Sequence, residues 1–217
     1  RWSEASEQLV TLAEALVVPV ITTEMGRGTI PENHPLAGGL VGHFGHSAAN
    51  TLLREADVVL GLGARFLNVS TINWSMIAPQ ARIIQVEMDP LELSKQYAVS
   101  LGIHADAGAF LDDLCAFIGK TKGKKAFDID HARVSRVGEL ITEQKSKYYD
   151  TDIDATPIKP QRITTAIEEA CDKDAIFVFG SGLHTQFAHG IQIRSPQQYN
   201  YSIGSGTMAW ALPGAIG

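Results

Sequence analysis

Two stretches of this 217-residue chain have the make-up of backbone that holds a ligand. In the first, the apolar run Ala175 to Phe179 breaks into Gly180-Ser181-Gly182, followed by Leu183-His184-Thr185-Gln186. Glycines let backbone amides approach an anion, and a helix starting just after them adds partial positive charge. The same pattern also fits an ordinary tight strand-to-helix turn. The second stretch, Gly204 to Gly217, alternates small and large apolar residues, carries no charge and contains four glycines. As a core helix it would lose roughly 1 kcal/mol at each glycine relative to alanine. Close approach of backbone to a flat ligand accounts for it better.

Other reactive side chains are sparse. His43 and His46 stand three apart in a glycine-rich loop, a setting that favours nucleotide contact or hydrogen bonding over metal ligation. Cys115 and Cys171 have no Cys or His neighbour at metal-ligand spacing, so they read as free core thiols in a reducing, cytoplasmic compartment. The net charge of −6 and the short, Gly-interrupted cluster Lys120 to Lys125 argue against nucleic-acid binding. Hydrophobic residues at 45% and charged ones at 19% are those of a globular chain with a real core. No run approaches the roughly 20 apolar residues of a membrane span, and no signal peptide opens the chain. Arg1 begins almost inside a helical pattern and Gly217 closes a run with no stop signal, so the chain reads as part of a longer polypeptide.

The elements that must position these residues alternate. Ser3 to Leu16 has helical spacing of Leu9, Leu12, Ala13 and Leu16, with Ser3 or Ser6 as cap. Val17 to Thr22 is predicted to be a strand, Gly26 to Gly45 turn-rich, and Ser47 to Glu55 a helix. Strands are predicted at Val58 to Leu62, Ile83 to Glu87 and Ile103 to Ala105, with a helical turn over Leu91 to Tyr97 and a helix over Gly108 to Ile118. Trp74 and Trp210 read as core or interface residues. The order of strands and helices predicts a parallel sheet, buried on both faces and covered by helices, ending near Lys125. Phe127 to Asp150 reads as a long surface helix linking domains. Gln161 to Cys171 is then a helix with Ile163, Ala166, Ile167 and Ala170 as its buried stripe, and Ala175 to Phe179 opens a second α/β unit.

Taken in order, the motifs resemble the thiamine-diphosphate decarboxylases and synthases of the acetolactate synthase type. Gly204 to Gly217 is similar to that superfamily's G-x-G-x-M-G-x-x-L-P-A-A-I-G segment, and Gly182-Leu183-His184 stands where its G-Q-H diphosphate turn stands. Pro19 to Thr23, Gly26-Arg27-Gly28, Pro31 to Leu36 and Gly38 follow its central-domain opening. Ala56 to Phe66 and Glu87-Met88-Asp89-Pro90 follow its next two strands. The resemblance covers essentially the whole chain. It implies a Rossmann-like central domain over residues 1–125, a helical linker over 126–157, and the start of a thiamine-diphosphate-binding domain over 158–217.

The resemblance implies decarboxylation or carboligation of a 2-oxo acid, of which pyruvate to acetolactate is the leading case. Gly182, Leu183 and His184 would hold the diphosphate. Gly206 would offer its carbonyl, and Thr207 and Met208 their backbone, to the aminopyrimidine, with the Met208 side chain wedged between the two rings. The activating glutamate and the Mg²⁺ ligands fall outside this sequence, and the active site would lie at the interface of a homodimer or homotetramer. In the synthases the central domain holds FAD. Gly42 and His43, Gly63-Ala64-Arg65, Glu87, Asp89 and Asp106 match that site's turns. The synthases continue R-F-D-D-R where this chain reads Arg65-Phe66-Leu67-Asn68-Val69. ADP, as in oxalyl-CoA decarboxylases, or an empty fold, as in benzoylformate and indolepyruvate decarboxylases, therefore stay open. So does a nucleotide-binding module without catalysis.

Overall fold

The structure, a computed structural model, describes residues 2–121, 131–148, 154–202 and 206–217. It is α/β throughout. In the first unit, α1 (Ser6–Leu16) leads to β1 (Val20–Thr22), which pairs in parallel with β2 (Ala37–Leu40). After α2 (Ser47–Glu55) comes β3 (Val58–Leu62). It is joined in parallel to β4 (Arg82–Glu87), which pairs in turn with β5 (Leu101–His104). The short α3 (Asn68–Thr71) lies between β3 and β4, and α4 (Ala107–Thr121) follows β5.

Strand alternation decides what covers this three-stranded sheet. Leu60 and Leu62 pack with Leu12 of α1 and Leu111 and Ile118 of α4. Val59 and Ile83 face the other way, onto Ala49 and Leu53 of α2 together with Phe66, Met76 and Ile77. Helices thus cover both faces, as parallel sheets require. The edge strand β5 is mostly exposed.

Beyond α5 (Ala132–Tyr148), which packs on α2, the second unit begins. Here α6 (Pro160–Ala170), β6 (Phe177–Phe179), α7 (Leu183–Ala188), β7 (Tyr199–Tyr201) and α8 (Ala211–Ile216) follow in order, with β6 and β7 parallel. Its small core joins Phe179, Ile191, Ile193 and Tyr199. Among the described residues no helix is long and apolar enough to cross a membrane.

Several expectations are corrected. The single sheet is divided, with β1–β2 apart from β3–β4–β5. Ala37–Leu40 is a strand inside the stretch read as turns. Neither Ser3 nor Ser6 caps α1, which starts after Ala5 with no side-chain cap, because Ser3 Oγ donates to Asp106 instead, at 2.6 Å. The segment 91–97 is a series of turns and not helix. The apolar stripe of α6 exists but is uncovered: Ile163 and Ile167 are exposed, and Thr164 is its buried residue, against the Phe187 carbonyl of α7. Trp74 is partly exposed and so not a core residue of this chain, and of the two thiols only Cys115 is half-buried, burial pushing it up, while Cys171 is exposed. The expected ends of the linker helix, 127–130 and 149–150, and the first domain's end near Lys125 lie outside the described residues.

Candidate functional site

Turns at the carboxyl ends of parallel strands are where open α/β sheets bind ligands. The first-unit residues matched above to a nucleotide site stand there. The Gly42–Gly45 turn follows β2, Gly63–Arg65 follows β3, Glu87–Asp89 closes β4, and Asp106 follows β5.

Most of them are held by a definite contact, Arg65 being the exception. Gly42 adopts φ +116°, and a Cβ there would lie 2.5 Å from the Val69 carbonyl oxygen, so this turn needs glycine. The His43 amide donates to that same carbonyl at 2.9 Å, leaving the ring exposed. Around Gly63, also at positive φ, there is open space, and Arg65 is exposed with no ion pair among the described residues. Glu87 Oε1 accepts from the amides of Met88 and Asp89, while its Oε2 is buried with no hydrogen-bond partner among the described residues. A buried acceptor left over in this way suits a ligand hydroxyl. Asp106 is instead engaged within the chain, its carboxylate accepting from Ser3 Oγ and from the amides of Gly108 and Ala109 at the start of α4. Those hydrogen bonds hold its carboxyl below the usual carboxylate range.

In the second unit the strand–turn–helix is closed by Thr185, whose Oγ1 donates to the Gly180 carbonyl at 2.7 Å and whose amide donates to the Gly182 carbonyl at 3.0 Å. Leu183 and His184 are exposed beside it. The structure brings this turn against the later loop, because a Cβ on Gly206 would lie 3.3 Å from Ser181 Oγ and one on Gly180 would lie 3.5 Å from Ala211 Cβ. Ser181 Oγ in turn lies 2.8 Å from the Tyr201 hydroxyl. Gly206, Thr207 and Met208 form an open face, with Met208 75% exposed. Gly204 and Ser205 lie outside the described residues. Ala209 sits at φ +62°, where a Cβ is strained. Ala209→Gly is therefore expected to raise stability by about 0.5 kcal/mol or more, read as the urea midpoint; a lowered midpoint would refute the strain.

The sequence reading missed how the two units meet. Arg27 is fully buried and pairs in a fork with Glu32, through Nε at 2.7 Å and Nη2 at 2.8 Å. The same Nη2 donates to the Ile191 carbonyl at 2.8 Å, and the guanidinium carbon lies 4.8 Å from the centre of the Tyr199 ring. Glu32 accepts from the Ile193 amide at 2.9 Å, and its own amide donates to the Ile193 carbonyl. Glu24 lies against His189 and accepts from the Tyr199 hydroxyl. Gly28, at φ +81°, lets Ser195 backbone pass where a Cβ would stand 2.4 Å away. The only signal for this in the sequence is Gly26-Arg27-Gly28, a cation between glycines, with nothing to name its partners.

His46 bears out its reading as a hydrogen-bonded residue. Its Nδ1 accepts from the Leu40 amide and its Nε2 donates to the His189 carbonyl at 3.1 Å. That tautomer is neutral, and burial lowers the ring's pKa from 6.5 to about 4, with Glu32 opposing the shift and Arg27 adding to it. A histidine depressed in the folded state takes up its proton in the unfolded chain first. Its contribution is complete above pH 6.5 and is lost as pH falls from there towards 4. The upper limit is about 3 kcal/mol at roughly 1.4 kcal/mol per unit. His46→Gln is expected to flatten the stability–pH curve across that window, measured by urea unfolding. An unchanged slope would remove the assignment.

Comparison with known proteins bears on the whole arrangement. The model of the family described as "Thiamine pyrophosphate enzyme, central domain" matches residues 1–114. The chain is 36% identical over 224 residues to a probable acetolactate synthase large subunit of Methanocaldococcus jannaschii, covering 99% of this chain and 36% of that protein. It is 30% identical over 216 residues to the acetolactate synthase large subunit of Haemophilus influenzae, covering 99% and 37%. With the acetolactate synthase isozyme 3 large subunit of Escherichia coli it shares 29% over 212 residues, covering 97% and 36%. The chain thus spans little more than a third of the length of these relatives. With the family model lying over the sheet and the turns at its carboxyl edge, the chain belongs to the thiamine pyrophosphate enzymes, and residues 1–114 are their central domain.

Proposed function

We propose that this chain is the central and early cofactor-binding part of an acetolactate synthase-like enzyme, which joins or decarboxylates 2-oxo acids, pyruvate first among them. The observation that carries the reading is the adjacency of Ser181, in the Gly180–Gly182 turn, to Gly206. Two segments well apart in the chain thereby form one open face, of the kind a diphosphate and an aminopyrimidine need. The relatives' names, each an acetolactate synthase, support the same reading.

The residues present fit thiamine diphosphate. Gly182, Leu183 and His184 hold the diphosphate end, with the exposed His184 imidazole beside it. The Gly206 carbonyl and the backbone of Thr207 and Met208 meet the aminopyrimidine. The exposed, unbranched Met208 side chain would lie against the cofactor and hold its conformation. Bound thiamine diphosphate supplies a nucleophilic carbon and an electron sink for the 2-oxo acid. This chain's own part is to orient and to exclude water. Mg²⁺ accompanies the diphosphate in this reading, and no ligand for it is assigned to the chain. The enzyme is a homodimer or homotetramer with the active site completed across subunits, acting in the cytoplasm.

In the first unit the turns at the strand ends hold FAD. Arg65 meets a phosphate or flavin carbonyl. Glu87 Oε2 accepts from a ribose hydroxyl, while Gly63 leaves room for close approach and Gly42, His43 and Asp89 line the turn. The open space at Gly63 and the orphaned Glu87 oxygen support a nucleotide here over an empty fold. The test uses the natural full-length protein. Acetolactate formation from pyruvate with thiamine diphosphate and Mg²⁺, and a flavin absorbance band in the purified protein, are the expected results. Consumption of oxalyl-CoA or benzoylformate in place of pyruvate would overturn the substrate, and an active but colourless protein would overturn FAD.

A further inference from the structure

One buried group belongs to neither candidate site yet links the two units that carry them. His189 ends α7 and is 2% exposed. Its Nδ1 lies 2.9 Å from the carbonyl of Phe44, inside the Gly42–Gly45 turn of the first unit. A carbonyl can only accept, so Nδ1 carries a proton. Nε2 lies 3.0 Å from Glu24 Oε1, which also accepts from the Tyr199 hydroxyl. His189 and Glu24 therefore share a proton on that side, and the ring is gripped at opposite edges. The backbone carbonyl of His189 is held as well, by His46 Nε2 at 3.1 Å and Arg27 Nη2 at 3.4 Å. The charged and titratable groups facing it are thus Glu24, Arg27, His46 and Tyr199, with Glu32 behind Arg27.

The helix so anchored is only six residues long, and its first residues are Leu183 and His184. A rigid rod of that length transmits the position of its last residue to its first. On its other side α7 receives the Thr164 hydroxyl, at the Phe187 carbonyl. The ring of His189 is the side chain of this helix that reaches into the Gly42–Gly45 turn, at the Phe44 carbonyl.

We propose that His189 is a positioning residue: by joining the Phe44 carbonyl to the end of α7, it seats the Gly180–His184 turn against the first unit. The proposal rests on reading that turn as the diphosphate-binding one. Asparagine and glutamine separate the two grips, since an Asn amide nitrogen falls near Nδ1 and a Gln amide nitrogen near Nε2.

The experiment titrates thiamine diphosphate, with Mg²⁺, into the natural full-length protein and into its H189A, H189N and H189Q variants. H189A is expected to raise the cofactor Kd about tenfold, the equivalent of one hydrogen bond to a charged or well-placed group, with kcat at saturating cofactor within about twofold of wild type. H189N is expected to recover most of the affinity. A Kd for H189A within about twofold of wild type, or rescue by H189Q and not by H189N, would overturn the Phe44 route. Hydrogen exchange of the ligand-free proteins is the second arm, and it holds even if wild type binds no thiamine diphosphate, the result that would sink the cofactor reading itself. In H189A the amides of 43–46 and 183–190 should exchange about tenfold faster, with α1 and α4 unchanged. No change, or uniform acceleration throughout, overturns the proposal.

Discussion

Arg27→Ala is expected to destabilise the folded protein by about 3–5 kcal/mol, the cost typical of breaking a buried ion pair from one side. The guanidinium is fully enclosed, so its removal leaves the Glu32 carboxylate, itself nearly buried, without a counter-charge. It also withdraws the donor to the Ile191 carbonyl and the cation from the face of Tyr199. Urea unfolding of the natural full-length protein measures the loss. Adding Glu32→Gln should return part of it, since the stranded charge is then gone, though the Ile193 amide keeps an acceptor. Arg27→Lys should fall between, because an ammonium cannot serve Glu32 in a fork and stack on a ring at once. A loss below about 1 kcal/mol for Arg27→Ala would show that the pair is hydrated in solution and does not hold the units together.

The second large effect is on turnover. Met208 is three-quarters exposed, so its side chain contributes little to the core. Met208→Gly should therefore leave the unfolding midpoint nearly where it was. In the full-length enzyme the same change is expected to lower kcat about 100-fold at saturating thiamine diphosphate, the scale of a misplaced reacting group, while the cofactor Kd moves only a few-fold. In the proposed reading, binding would be shared among the backbone groups of Gly182, Gly206 and Thr207, whereas holding the cofactor's conformation would fall to the Met208 side chain alone. Turnover equal to wild type would refute the wedge. A collapse of affinity with kcat intact would make Met208 a binding residue instead.

What can be read from the sequence follows from local rules. The helices Ser47–Glu55 and Ala107–Thr121 and the strands Val58–Leu62 and Arg82–Glu87 have apolar spacing that their neighbours then bury. The turns at the strand ends are legible from their glycines and from the order of motifs. Strand β2 is hidden because Ala37-Gly38-Gly39-Leu40 has almost no side chain to alternate, and its pairing comes from β1 and not from propensity. β7 is hidden in Tyr199-Asn200-Tyr201, too short for a pattern. The stripe of α6 is correctly periodic yet uncovered, since periodicity shows which face is apolar and not what lies against it. The junction is illegible for a different reason. Glu24, Arg27 and Glu32 find their partners in the second unit at sequence separations of 161 to 175, and nothing in a single chain's spacing encodes such pairs.

Those separations also govern how the chain comes together. Closing so long a loop costs entropy before any contact rewards it, so contacts of this kind form late. Until residues 189–199 arrive, Arg27 and Glu32 stand in water, each with its own hydration shell and no reason to hold one geometry. The first unit is therefore expected to form its sheet and helices before the loop at 24–32 sets, and pulsed hydrogen exchange that protects 24–32 as early as β3 and β4 would refute that order. The arrival of the second unit dries the pair and fixes the loop in one step. Gly28 admits that closure, because a Cβ there would stand 2.4 Å from the Ser195 backbone. The two units are thus coupled through one buried pair, and the contact that encloses it is also the one that shapes the ground between their two turns.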